Sequence, residues 1–294
     1  MLGLNTKLAE LESQNNKIKV ALVGAGQMGK GMVSQMILMK GMTPSLVIDI
    51  DIQNAIEAFT LAGIPQSDIV VAKDIATVNK ALEEEKYIAS DNSELATAAK
   101  LIDVVVDATG VPEVGAKIAL DSIFNKKHIV MLNVETDVVV GPILNKLAQN
   151  AGVVYTGTAG DEPGSVKELY DFADALGFDI VAIGKGKNNP INYEANPDNV
   201  LEQAKTEGVS PRMLTSFKDG TKTMVEMTAM ANATGFIPDV RGGHGPKATV
   251  DELPNIYRLK KDGGILNQYK IVDYVNGIAP GVFIVVTTKL PQVH

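Results

Sequence analysis

The chain has no cysteine and no tryptophan, only three histidines, and 5% aromatic residues over its 294 positions. Without cysteine there is no disulfide, thiolate nucleophile, iron–sulfur cluster or cysteine-ligated zinc. His128, His244 and His294 are too few and too scattered for a multi-histidine metal centre or a serine–histidine relay. No apolar run approaches the about 18 residues that a membrane span needs. Positive charge is also short, with 27 Lys plus Arg against 35 Asp plus Glu and a formal net charge of −8. That sign excludes a general nucleic-acid binder or an anionic-membrane binder. Lysines, carboxylates, amides and a bound cofactor remain to carry the chemistry.

The length suits about two domains, and 45% hydrophobic with 21% charged residues is an ordinary globular composition. The first residues set Leu2, Leu4, Leu8 and Leu11 among polar neighbours. They read as a short amphipathic helix, since a signal peptide needs a basic start and an apolar run. A cytoplasmic protein is expected, in keeping with the lack of cysteine.

From Lys17 short β-prone runs alternate with helical segments. Strands are predicted at 18–23, 46–50, 69–71, 101–108 and 128–132, with helices through about 40, over 52–62 and over 75–85. Such alternation specifies βαβ units and a parallel sheet covered on both faces. Past Tyr155, glycine, asparagine and charged residues cluster in loops, where a scaffold commonly places functional groups. The expected fold is α/β: a Rossmann-type doubly wound parallel sheet over 1–156, then a second domain over 157–294.

Val20 to Gly29 reads VALVGAGQMG, the G-x-G-x-x-G pattern directly after a strand and opening a helix. Gly24 allows the tight turn, Gly26 lets backbone approach a pyrophosphate, and Gly29 lets helix and strand pack closely. Gln27 and Met28 lie in the same helix start, whose free N–H groups and dipole suit an anion. Asp49 follows 20 residues after Gly29, where a carboxylate grips adenosine ribose hydroxyls, with Asp51 as an alternative. No Lys or Arg lies between Asp49 and Lys73 to welcome a 2′-phosphate, which favours NAD over NADP. Thr109 and Gly110 follow the 101–108 strand at another carboxyl end expected to line the cofactor.

Candidate catalytic groups follow. Asn133, after the 128–132 strand, is placed to orient substrate or nicotinamide amide. Glu135 and Asp137 are candidate functional groups at this strand end, the alternative being a helix N-cap by Thr136 or Asp137. Asp161 and Glu162 open a helix in GDEPG, and serve either as its cap or as ligands of a substrate hydroxyl or a divalent ion. Lys185 and Lys187 sit in GKGKNN after the apolar strand FDIVAI, where flanking glycines leave them free to reach an anionic group; the alternative is a solvated turn. Lys222 and Glu226 are four apart on one helical face, beside Ala229 and after Asp219. A lysine and a glutamate on a largely apolar helix are costly unless paired or functional, and Lys222 is the proton donor expected at a carbonyl oxygen. His244, in RGGHGP, is a candidate anion clamp.

GAGQMG with Asp49, ATGVPE (108–113), LNVETDVVVGPIL (132–144), YTGTAGDEPG, GKGKNN, FKDGTKTMVEMTAMANATG and RGGHGP together resemble the homoserine-dehydrogenase-like oxidoreductases. Within them, these motifs look most like the DXR-like branch, related to 1-deoxy-D-xylulose 5-phosphate reductoisomerase. The resemblance implies an NAD(P)-dependent oxidoreductase acting on a small hydroxy or oxo, possibly phosphorylated, substrate. It also implies that 157–294 is an α/β catalytic and dimerisation domain of a homodimer or homotetramer, with Lys222 and the 185–189 loop near the substrate. An isomerisation step would call for a divalent ion at Glu135, Asp161 and Glu162. GKGKNN stands where homoserine dehydrogenases carry an NGT-type loop, and the branch usually continues into a C-terminal SAF domain beyond where this chain stops. The alternatives are homoserine dehydrogenase itself and an NAD(P)-binding sensor without turnover.

Overall fold

The computed structural model describes residues 3–290 and residue 292. Leu2 and His294 lie outside the described residues. The chain divides into two compact units, 1–158 and 159–294, each considered by itself.

The first unit opens with α1 (Leu4–Ser13), which buries Leu8 and leaves Leu4 on the surface. Then come β1 (Ile18–Val23), α2 (Gln27–Leu38), β2 (Met42–Ile48) and α3 (Ile52–Leu61). β3 (Ile69–Val71), α4 (Ile75–Glu83), β4 (Tyr87–Ser90) and α5 (Glu94–Ala98) complete the first half of the sheet. The second half is β5 (Val104–Asp107), α6 (Pro112–Phe124), β6 (His128–Met131), α7 (Val134–Ala151) and β7 (Tyr155–Gly157). The seven strands are all parallel, in the order β3-β4-β2-β1-β5-β6-β7. Val20, Leu22, Val47 and Val106 feed the core on one face, and Ala21, Leu46, Val105 and Ile129 that on the other. Burial on both faces is why these strands read as continuous apolar runs. Strand order reverses between β1 and β5, and ligands of such sheets bind at the carboxyl ends there.

β4 is absent from the strands expected from sequence. YIAS carries only four residues of pattern, and its strand character comes from pairing β2 on one side and β3 on the other. Asn133, and neither Thr136 nor Asp137, is the N-cap of α7, through its Oδ1 and the Thr136 N–H.

The second unit begins with α8 (Glu162–Ala175) and β8 (Asp179–Lys187). Three helices follow: α9 (Leu201–Glu207), α10 (Pro211–Lys218) and α11 (Thr221–Thr234). After β9 (Ile237–Pro238) and α12 (Leu253–Ile256), β10 (Ile271–Asn276) and β11 (Val282–Thr287) close a four-stranded sheet ordered β11-β8-β10-β9. α8 and α11 pack on one face through Val166, Ala173, Met227 and Met230, while Leu253, Tyr257 and Leu266 cover the other.

The structure corrects one local reading. Lys185 and Lys187 are not in a turn: β8 runs through both, and every residue after Asp179 in it is buried. The period of two puts both lysines on one face and Gly184 and Gly186 on the other. Those glycines serve close packing. A Cβ on Gly184 would lie 1.8 Å from the Asp273 carbonyl oxygen, and one on Gly186 2.5 Å from the Ala279 nitrogen.

Candidate active site

At the carboxyl end of β1 the fingerprint glycines have separable roles. Gly24 holds φ +101°, and a Cβ on it would come within 2.6 Å of the Ala108 backbone. A Cβ on Gly29 would lie 2.0 Å from the Gly24 carbonyl oxygen, so α2 lies against the end of β1 only because Gly29 has none. Gly26, the N-cap of α2, makes no side-chain cap and faces open space for at least 4 Å. Gly26, Gln27 and Met28 are exposed. The start of α2 is therefore an open, glycine-floored cradle with unpaired N–H groups, which fits a dinucleotide pyrophosphate.

Asp49 braces this cradle. Its Oδ2 accepts from the Ala25 N–H at 2.7 Å, and its Oδ1 accepts from the Asp51 N–H at 3.0 Å and from Asn54 Nδ2 at 3.3 Å. A carboxylate has about four acceptor positions, which leaves room for a ribose hydroxyl. Asp51 instead caps α3 through the Gln53 N–H. Replacing Asp49 with alanine is expected to weaken NAD binding about 10- to 100-fold, the value of a charge-assisted hydrogen bond, and NADP binding by less. Fluorescence titration of both cofactors measures the difference, and equal losses would remove Asp49 from the ribose site.

The carboxyl end of β5 holds a group that the sequence reading passed over. Asp107 is fully buried. Its Oδ1 accepts from the Thr109 N–H at 3.0 Å and the Thr109 hydroxyl at 2.7 Å, and its Oδ2 accepts from Asn133 Nδ2 at 2.9 Å. Burial raises the Asp107 pKa against the pull of these donors. Asn133 Nδ2 also donates to the Thr109 hydroxyl and to the Val111 carbonyl, while its Oδ1 caps α7. With 1% exposure and every polar atom engaged inside the protein, Asn133 positions the 109–111 loop and does not reach for a ligand. Gly115 makes room for the network: a Cβ there would lie 2.3 Å from Asp107 Oδ2. Gly110, at φ +65°, is exposed beside it. Glu135, in the first turn of α7, raises the Asp107 pKa a little further by its charge. Asp137 accepts from the Tyr155 hydroxyl at 2.9 Å.

In the second unit the structure gathers most of the expected ionisable residues. Lys185 Nζ donates to Glu162 Oε1 at 2.8 Å and to Glu226 Oε2. Its side chain is 11% exposed and that of Glu226 4%. Glu226 is thus paired across to β8, where the sequence spacing suggested Lys222 on its own helix. Burial opposes the Lys185 ammonium, but Glu162 and Glu226 outweigh it and hold its pKa above the usual value. Asp161 is pushed up to about 6, first by burial and then by Glu162 beside it, with the Lys222 charge pulling the other way. Although Asp161 is the N-cap of α8, its side chain makes no capping bond. The Lys222 charge also acts on Glu226, so both Asp161 and Glu226 feel that ammonium.

Lys187 has a different task from the one expected. Its Nζ donates to Asn189 Oδ1 and to the Phe217 carbonyl, both at 2.8 Å, so it ties the last turn of α10 to β8. Asp219 closes α10 and accepts from the Thr221 N–H at 2.7 Å. It also borders a cavity of about 360 Å³ together with Tyr193, Gly220, Met224 and Arg241. Arg241 is exposed there and makes no ion pair among the described residues. The quoted RGGHGP motif pointed to its neighbour instead. His244 belongs to another network, with Nε2 2.7 Å from Asp239 Oδ2 and its N–H donating to Asp273 Oδ1 at 3.0 Å.

Among the described residues no group of three or more Asp, Glu or His is arranged to hold a metal ion. Nor does any described helix have the length and apolarity to cross a membrane.

One unit thus holds a cradle that fits a dinucleotide, and the other a buried lysine–carboxylate cluster. Residues 24–156 match the family described as homoserine dehydrogenase, NAD binding domain, and residues 160–294 match oxidoreductase DRL, catalytic domain. No curated protein matches the sequence. Among solved structures, a "probable dehydrogenase" from Thermotoga maritima is 11% identical, with 90% of this chain and 71% of that one covered and a TM-score of 0.49. An NAD binding oxidoreductase from Klebsiella pneumoniae is 15% identical (62% and 47% covered, TM-score 0.41). UDP-N-acetylglucosamine 3-dehydrogenase from Acidithiobacillus ferrooxidans is 12% identical (59% and 48% covered, TM-score 0.40). The chain thus spans about half the length of the last two.

Proposed function

We propose that this chain catalyses hydride transfer between NAD(P) and a small hydroxy or oxo substrate carrying an anionic group, such as a phosphate or carboxylate. The observation that carries the reading is the Asp161–Glu162–Lys185–Glu226 cluster with Lys222 beside it, within the segment that matches an oxidoreductase catalytic domain. When bound, NAD(P) supplies or accepts the hydride. The exposed Ile50, next to Asp49, offers an apolar surface suited to an adenine ring.

Lys222 polarises the substrate oxygen and delivers or removes its proton. A general acid of this kind is worth about 10²- to 10⁴-fold. Asp161 and Glu226 hold the Lys222 ammonium by their charge, and Lys185 neutralises the buried Glu226. Arg241, in the cavity that Asp219 borders, attracts the anionic group. A DXR-like reductoisomerase is the narrower form of this reading, supported by the resemblance of the motifs. Homoserine dehydrogenase finds support in the NAD-binding segment alone.

The test is a panel of hydroxy acids, phosphorylated ketoses and homoserine, followed by NAD(P)H absorbance. A substrate turned over by the wild type should lose about 10²- to 10⁴-fold in kcat/KM with Lys222→Ala. NADH binding without turnover of any of them would leave the sensor reading in its place. The same assay gives a pH signature. Asp161, with a pKa of about 6, is protonated below that pH and charged above it. Its charge adds to the hold on Lys222, so kcat/KM should rise through about pH 6 in the wild type. Asp161→Asn should flatten that limb, and an unchanged limb would exclude Asp161 from the mechanism.

A further inference from the structure

The stretch from Asp49 to Lys73 supplies no lysine or arginine of its own, but folding brings one to Asp49 from another helix. Lys30 stands in the first turn of α2, and Asn54 and Glu57 share a face of α3, three residues apart. The Lys30 ammonium donates to Asn54 Oδ1 at 3.0 Å and to Glu57 Oε2 at 2.8 Å. Asn54 Nδ2 in turn donates to Asp49 Oδ1 at 3.3 Å. A single side-chain amide therefore separates a positive charge from the carboxylate placed to hold the adenosine ribose.

The chemistry of these groups fixes the order of contacts. An ammonium only donates and a carboxylate only accepts. The Asn54 amide can satisfy both neighbours in one orientation alone, with its oxygen towards Lys30 and its nitrogen towards Asp49. Lys30 thereby sets which way Asn54 points at the ribose carboxylate.

Helix formation does not ask for a lysine at this place. A positive charge in a first turn works against the helix dipole, and α2 has no acidic residue there to offset it. The ammonium is nonetheless held from two sides, and the Lys30 side chain is 22% exposed against 56% for Glu57. A pair so open to water adds little to stability. Its consequence is for charge: while Glu57 holds Lys30, the two together present no net positive charge to a group arriving beside Asp49.

We propose that Lys30 and Glu57 together decide between NAD and NADP. The inference rests on the reading of Asp49 as the ribose carboxylate. With Lys30 neutralised by Glu57, a 2′-phosphate meets the Asp49 carboxylate without a cation to receive it and is turned away. A bare 2′-hydroxyl donates to Asp49 and is accepted. Released from Glu57, the same ammonium is the cation that a 2′-phosphate needs, and its flexible four-carbon stem lets it turn from Asn54 to the phosphate.

Fluorescence titration of NADH and NADPH into the full chain tests this in the wild type, Glu57→Gln, Lys30→Met and the double variant Lys30→Met/Glu57→Gln. The wild type should bind NADH at least tenfold more tightly than NADPH. Glu57→Gln should shift the NADPH-to-NADH affinity ratio about 10- to 100-fold towards NADPH, the value of one charge-assisted hydrogen bond. The double variant should lose that shift, because the gain needs the ammonium and not only the removal of a negative charge. Lys30→Met alone should weaken NADH by about two- to fivefold, as Asn54 loses the contact that orients it. None of the variants should melt at a much lower temperature, since the pair is open to solvent. Equal affinity of the wild type for both cofactors, an unshifted ratio in Glu57→Gln, or a shift that survives in the double variant would each overturn the proposal. Failure of the underlying ribose reading shows separately, as equal losses of NADH and NADPH in Asp49→Ala.

Discussion

Lys185→Met should destabilise the second unit by about 3–5 kcal/mol, the cost of leaving a buried charge without its partner. Glu226 is 3% exposed and Lys185 donates directly to it, so the truncation strands a carboxylate in a place that water does not reach. The other escape is protonation of Glu226, whose pKa burial already raises. Removing Lys185 raises it further, so the native variant binds a proton that the unfolded chain releases. The loss should therefore shrink at acid pH and grow as pH rises through neutrality. The double variant Lys185→Met/Glu226→Gln has no stranded charge and should recover most of the loss, since a neutral pair of similar volume is commonly tolerated. Denaturant unfolding of the wild type, both single variants and the double variant closes the cycle. Equal stability of Lys185→Met and the double variant would mean that the ion pair does not hold this core together.

The second large effect separates the two glycines of the cradle. Gly26→Ala should leave thermal stability nearly unchanged, because its φ of −69° suits alanine and its Cβ meets nothing within 4 Å. NADH affinity should nonetheless fall about 100-fold, or about 3 kcal/mol, since the methyl occupies the space by which a pyrophosphate reaches the helix N-terminus. Gly29→Ala should do the reverse in order of cause. Its methyl would lie 2.0 Å from the Gly24 carbonyl oxygen, so α2 must lift from the end of β1. Overpacking against backbone costs at least about 1–3 kcal/mol, and cofactor binding is lost with the fold of the loop. Thermal denaturation and NADH titration of the two variants distinguish these effects. Full NADH affinity in Gly26→Ala would place the pyrophosphate elsewhere.

The dinucleotide half was legible because its requirements are local. A G-x-G-x-x-G after an apolar strand specifies a turn, a close approach and a helix start; the structure shows Gly24 in the turn, Gly29 in the close contact and Gly26 facing open space. The second half was legible in its residue types but not in their partners. Glycines flanking Lys185 and Lys187 look like a turn in one dimension. In three dimensions they are the positions of β8 that Asp273 and Ala279 approach too closely for any side chain. Glu226 lies four residues from Lys222, yet its hydrogen bond runs 41 positions back to Lys185. Asp107 and Gly115 carried no sequence signal, since an aspartate at a strand end and a glycine in a helix are both common. Their importance appears only when α6, α7 and β5 meet around Asn133.

The sequence by itself determined what chemistry is available: no thiol, little imidazole, a nucleotide-binding turn, and lysines and carboxylates to do the rest. It could do so because composition and short spacing fix which groups exist and how the backbone bends around them. Only the tertiary structure decided which lysine faces which carboxylate, turning Asn133 and Lys187 into braces and bringing Lys185, Glu162 and Glu226 together. Burial and pairing set the charge state of an ionisable group, and both depend on elements distant in the chain that only folding brings into contact.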